Sequence, residues 1–283
     1  MSALEELKQI IKSANSNFGV LNLTLEQLHK IFSLMNDCDV VFSEIVIENL
    51  CTVLYNAIQR IDNKNDLFGD ELVCAIRKII DHFMDKDFSR EVALLFESIL
   101  KSLSPENLEV LVDEALIQFV IKFMKLKRGG ARFAPKYYTI AMRISIACPM
   151  WESTFLEHMD ITQVKKMISN ESNDRETMLA IYHWISQISG QACGIAFIFQ
   201  ELAYFMKILC EMVKNAVKPE FFQPAIISLE NLLRLENREI RAMAHSELSG
   251  CVPNMMDVYF SPDLRKRWDN VQKCFNYFEN YKN

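Results

Sequence analysis

Turn-forming residues are scarce in this 283-residue chain: it holds 7 Gly and 7 Pro, and the first proline is Pro105. Sandwiches, barrels and doubly wound sheets consume more of both, so most β architectures are excluded. Long hydrophobic runs are missing too. No stretch of about 18 uncharged apolar residues occurs, which leaves no candidate for a single spanning helix. The opening residues, Met1 to Lys8, are acidic and amphipathic, without the basic and apolar regions of a secretory signal. An excess of positive charge is also lacking. Lys and Arg total 31 against 37 Asp and Glu, a net charge of −6, which disfavours nucleic acid or an anionic membrane as the main partner.

Local cysteine pairs are absent. The eight cysteines, at 38, 51, 74, 148, 193, 210, 251 and 274, are never closer than 13 residues, so a zinc site built from sequence-local pairs is not expected. Their settings on apolar helix faces predict free, buried thiols in a reducing compartment, cytoplasmic or nuclear. The five histidines are dispersed, and no nucleophile elbow, zincin helix, P-loop or dinucleotide signature is present. No catalytic residue, metal or cofactor is expected, and the chain is read as non-enzymatic.

What is present is helical periodicity. Leu4, Leu7, Ile10 and Ile11 begin a stripe, and Thr24 with Gln27 has the spacing of a capping box before Leu25, Leu28, Ile31, Phe32 and Met35. Further helices are predicted over about 40–61, 66–84 and 90–103, with Ser89 as a cap. Ser104-Pro105 opens another. The apolar stretch Ile195 to Leu209 reads as one buried helix. With no convincing alternation of strand type, the fold class is all α.

One helix recurs. It reads Val53-Leu-Tyr-Asn56-Ala-Ile58, Leu95-Phe-Glu-Ser98-Ile-Leu100, Ala141-Met-Arg-Ile144-Ser-Ile146, Ala180-Ile-Tyr-His183-Trp-Ile185 and Ser228-Leu-Glu-Asn231-Leu-Leu233. The fourth positions lie 42, 46, 39 and 48 residues apart. Between copies come a polar link, a short helix and an apolar helix, ending in patterns such as Val120 to Met124, Val164 to Ile168 or Phe205 to Leu209. A three-helix unit of this length resembles the armadillo repeat, best over Ser228 to Met256. The resemblance implies a right-handed superhelix of about five imperfect repeats over residues 40–260. Residues 1–39 form an N-terminal helical cap and 261–283 a C-terminal capping helix. The glycine that usually separates the first two helices is missing from most units, so those corners are expected to be HEAT-like or irregular.

The resemblance also implies a protein-binding scaffold or adaptor subunit, whose third helices line a concave groove. Asn56 and Asn231 match the asparagine that bonds a peptide backbone there, with Ser98 and His183 as polar substitutes. Arg143, Tyr182 and Glu230 are neighbouring contacts. Where nuclear-import receptors of this family carry tryptophan, this chain has Thr52, Leu94, Ile140, Leu179 and Ile227. A second candidate surface is the basic segment Lys122, Lys125, Lys127, Arg128, Arg132 and Lys136 around Gly129-Gly130, suited to an acidic segment or phosphate. A chaperone cofactor or self-associating module, using the 19 Phe and 14 Met in exposed patches, is the alternative. Nucleic-acid binding through the 122–136 loop is the third.

Overall fold

A computed structural model describes residues 3–16, 23–37, 44–86, 89–126, 131–170, 172–215, 219–249 and 261–279. All regular elements among them are helical. The chain divides into two compact units, Met1–Trp151 and Glu152–Asn283.

The first unit contains α1 (Ala3–Ser16), α2 (Leu25–Asp37), α3 (Glu44–Ile58), α4 (Asp70–Phe83), α5 (Arg90–Leu100), α6 (Pro105–Leu111), α7 (Glu114–Met124) and α8 (Ala134–Ala147). The helix starts are chemically specified. The Thr24 amide donates to Gln27 Oε1 at 2.9 Å and the Gln27 amide to Thr24 Oγ1 at 3.2 Å, the reciprocal capping box its spacing predicts. Ser104 Oγ accepts from the Asn107 amide at the start of α6, with Pro105 in the first turn. Ser89 stands at the N-cap of α5 but makes no side-chain cap bond. The helix expected over 66–84 is two elements. Asn63 caps a 3-10 turn over Lys64–Leu67, and α4 starts only at Asp70.

Helices stack in rows: α2 on α4 and α4 on α7, and alongside them α3 on α5 and α5 on α8. The core runs between the rows. Phe96, Phe119, Phe123 and Tyr137 form a continuous aromatic file with successive centroids 4.6 Å apart, and Tyr137 donates its hydroxyl to the Ala93 carbonyl at 3.1 Å. Burial pushes that hydroxyl well above the usual tyrosine range.

The second unit contains α9 (Glu152–His158), α10 (Ile161–Ile168), α11 (Arg175–Ile188), α12 (Ala192–Phe199), α13 (Leu202–Asn215), α14 (Pro219–Leu233), α15 (Arg238–Leu248) and α16 (Pro262–Glu279). Here α11 packs on α14, and α14 on α16, while α13 lies against α14 and α15. Trp184, Phe197, Phe205, Phe222 and Trp268 fill the core. The apolar stretch 195–209 is not one helix: it breaks after Phe199, and α12 and α13 meet at 100°. Among the described residues, no single helix is long and apolar enough to cross a membrane.

Stacking leaves a signature in the polar contacts. Gln59 donates to Ser98 Oγ (2.6 Å), Arg143 to the Leu103 carbonyl (2.8 Å), Asn231 to Ser189 Oγ (3.1 Å) and Asn270 to Glu230 (3.0 Å), with partners 39 to 42 residues apart. Lysines do the same work at helix ends. Lys78 caps α2 through the Met35 and Asn36 carbonyls. Lys122 caps α4 through those of Phe83, Met84 and Lys86 at 2.7, 2.9 and 2.5 Å. A cation among unpaired C-terminal carbonyls satisfies acceptors and dipole together. Within each unit, helices about 40 residues apart in sequence are thus bonded to one another.

Candidate functional site

The second unit holds an open groove of about 960 Å³ where α11 and α13 diverge. Asp174 caps α11 through the Thr177 amide (2.7 Å), and this start sends Arg175, Met178 and Tyr182 down one face at helical spacing. The opposite wall is α13. Its buried face carries Leu202, Phe205, Met206, Leu209, Cys210 and Val213. A second apolar row, Tyr204, Ile208 and Met212, faces the groove at intervals of four, and a polar row, Lys207, Glu211 and Asn215, runs beside it at the same interval. Ile168, from the end of α10, and Phe221, from the first turn of α14, close the floor.

The walls are held by specific bonds. Tyr204 donates its hydroxyl to the Lys165 carbonyl at 2.9 Å, which leaves Ser169 as the donor in the 2.8 Å bond between their hydroxyls. Lys165 lies over the Tyr204 ring at 5.0 Å and pairs with Glu201 at 3.0 Å. Across the groove, Arg175 bonds both carboxylate oxygens of Glu220, tying α11 to α14. Lys207 and Glu211 are 3.8 Å apart and largely solvated.

Tyr182 is the distinctive polar group of the floor. Its side chain is 8% exposed, its ring meets Phe221 edge-on at 6.1 Å, and among the described residues its hydroxyl makes no hydrogen bond. Burial, reinforced by Tyr204 and the Glu211 carboxylate, pushes its pKa up to about 12. The groove therefore keeps a neutral tyrosine donor at physiological pH.

The sequence-predicted contacts meet different fates. Asn56 and His183 are exposed on α3 and α11, and partial desolvation holds His183 below the ordinary histidine value. Ser98, Arg143 and Asn231 are engaged in the helix-to-helix bonds given above. Glu230, 4% exposed, accepts from Arg234 at 2.6 Å, Arg267 at 2.7 Å and Asn270, joining α14 to α16. Tyr182 is the member of that set that lines the groove. In the basic segment, Lys127 and Arg128 lie outside the described residues. Lys122 caps α4, Lys136 binds Glu97 at 2.6 Å, and Arg132 sits 5.0 Å from the Phe133 ring. Cys51, Cys148 and Cys210 are buried as expected, whereas Cys74 and Cys193 are exposed. Among the described residues, no group of three or more His, Cys, Asp or Glu is arranged to hold a metal.

Sequence reasoning passed over Tyr204, Lys207, Ile208 and Met212. The available signal was the width of the apolar surface on α13, which exceeds what one core-facing stripe needs.

No protein-family model and no curated protein matches this chain. Among solved structures, a designed armadillo repeat protein, YIII(Dq)4CqI, is similar at 12% identity and a TM-score of 0.48, over 89% of this chain and all of that one. Among the described residues the chain is all α, and its helices bond to one another at intervals of about 40 residues.

Proposed function

We propose that the chain is a protein-binding scaffold and that the groove between α11 and α13 seats a segment of its partner. The supporting observation is the second apolar row on α13, half-buried beside a neutral tyrosine donor, in a cleft whose walls are bonded in place. The polar lining consists of amides, hydroxyls, a Lys–Glu pair and an arginine committed to Glu220, a set suited to recognition rather than to a reaction. Asn56 in the first unit and His183 in the second are proposed as additional contacts.

Affinity purification from native cells tests this with three versions of the full chain: wild type, Met212→Glu, and Asn56→Asp. Both substituted side chains are at least partly solvated, so helicity by circular dichroism should be retained. The expected result is a stoichiometric protein partner lost with Met212→Glu and weakened by Asn56→Asp. A partner retained in full by Met212→Glu moves the site elsewhere, and no stoichiometric partner at all rejects the scaffold reading.

A further inference from the structure

We propose that the partner segment in this groove is an amphipathic α-helix of about three turns, which rests on reading the groove as a protein-binding site. The dimensions come first. The wall residues from Tyr204 to Asn215 cover most of α13, a helix of 14 residues, so the cleft is on the order of 20 Å long at 1.5 Å per residue. Its two rows, Tyr204-Ile208-Met212 and Lys207-Glu211-Asn215, both repeat every four residues. Such ridges are what a second helix interdigitates with when i±4 rows pack.

Backbone satisfaction weighs against the extended alternative. An extended peptide lying on the floor would bring unpaired amides and carbonyls against Ile168, Met178, Ile208, Met212 and Phe221, which offer nothing to bond. The α11 and α13 walls use their own backbone groups internally, and among the described residues no strand edge is available for pairing. Of the three lining amides, Asn170 and Asn173 are already committed, and Asn215 lies exposed at the far end of the groove. Asn170 donates to Asn173 at 3.1 Å and accepts from the Ser172 amide and hydroxyl, while Asn173 donates to the Met167 carbonyl at 2.6 Å. A helix arrives with its backbone bonds made and presents only side chains.

The polar groups then specify its face. Lys207 and Glu211 are weakly paired and solvated at the rim, so a partner helix with an acid opposite Lys207 and a base opposite Glu211 gains two flanking ion pairs. Tyr182, beneath them, offers its hydroxyl as a donor to an acceptor on the partner. Glu211 nearby disfavours a second carboxylate there, so the geometry calls for an amide or hydroxyl amid the apolar stripe. The sequence class is a helix with apolar residues at three- and four-residue spacing, one central Asn, Gln, Ser or Thr, and flanking charges of both signs.

Two displayed peptide libraries of equal composition, one in a helix-favouring frame and one interrupted by proline, panned against the full chain, decide the matter. Selection should enrich clones from the helical library with that spacing. Their affinity should fall at least about tenfold with Ile208→Glu or Met212→Glu and about three- to tenfold with Tyr182→Phe. Enrichment from the proline library, lost with Ile208→Glu, overturns the helix and leaves the groove as the binding site. Clones indifferent to both glutamate substitutions, or no enrichment from either library, overturn the helix and the groove together. Equal affinity for Tyr182→Phe removes the central acceptor. A concentration-dependent dimer in sedimentation that Ile208→Glu dissolves would identify the occupant as a second copy of this chain and overturn a foreign helix.

Discussion

Glu152 is a carboxylate with no exposed surface and, among the described residues, no cation paired with it. Its Oε2 accepts from Gln187 at 2.7 Å and Gln191 at 3.1 Å, and the Cys193 thiol approaches Oε1 at 3.7 Å. Burial raises its pKa above 4.5, the hydrogen bonds from Gln187 and Cys193 opposing the rise. The folded chain thus holds this proton more tightly than the unfolded chain does. The stabilising contribution is complete below about pH 4.5 and is lost as pH rises through the folded value. Glu152→Gln should therefore raise Tm at pH 7.5, with the gain shrinking towards zero as pH falls to 4.5; a gain independent of pH would contradict the assignment. A second residue carries backbone strain: Glu236, in the link after α14, has φ of 55°, a conformation that costs a side-chain-bearing residue about 1–2 kcal/mol. Glu236→Gly should stabilise by about 0.5–1 kcal/mol after glycine's own entropic penalty, read from urea midpoints at unchanged m. Neither effect was legible in the sequence. A burial state and a φ angle depend on neighbours that local composition does not name.

Elements were legible where the chemistry is local and obscure where it is tertiary. The Thr24–Gln27 box and the Ser104-Pro105 start fold as their spacing predicts because donors and acceptors lie within one turn of each other. The break between α12 and α13 was hidden in a run whose apolar character is uniform. The corner before it, between α11 and α12, is set by packing: a Cβ on Gly194 would lie 2.2 Å from the Ile188 carbonyl oxygen and 2.6 Å from its Cα, so α12 can approach the end of α11 only with glycine there. Gly194→Ala should cost about 1–3 kcal/mol through forced backbone movement, visible as a lowered Tm with helicity retained below the transition. The lysine caps escaped notice for the same reason. Lys122 belonged to a basic cluster in the sequence, and only stacking brings it to the carbonyls of Phe83, Met84 and Lys86. Lys122→Met should cost about 1–3 kcal/mol, whereas Lys136→Met, which removes a pair whose lysine is about half exposed, should cost at most about 1 kcal/mol. Equal losses would show that the cap is not special.

At the scale of the whole molecule, the repeat interval was the most readable property. Spacings of 39 to 48 residues between copies of one helix reappear as bonds between residues about 40 apart, because each unit buries its apolar face only against the next. The site was less legible. Of the row expected at the fourth position of each copy, Ser98 and Asn231 bond Gln59 and Ser189, and Asn56 and His183 are exposed. Tyr182, expected as a neighbouring contact, lines the proposed groove. The far wall lies on α13, whose second apolar row is indistinguishable from core until the helix is seen to keep that face half open. The most direct test is hydrogen–deuterium exchange of the full chain with and without a helical peptide selected against it. Occupation of the groove should slow exchange in α13 and the first half of α11, and leave α5 and α16 unchanged. Equal protection along α5 and α16, or none at α13, would contradict a partner-binding groove between α11 and α13.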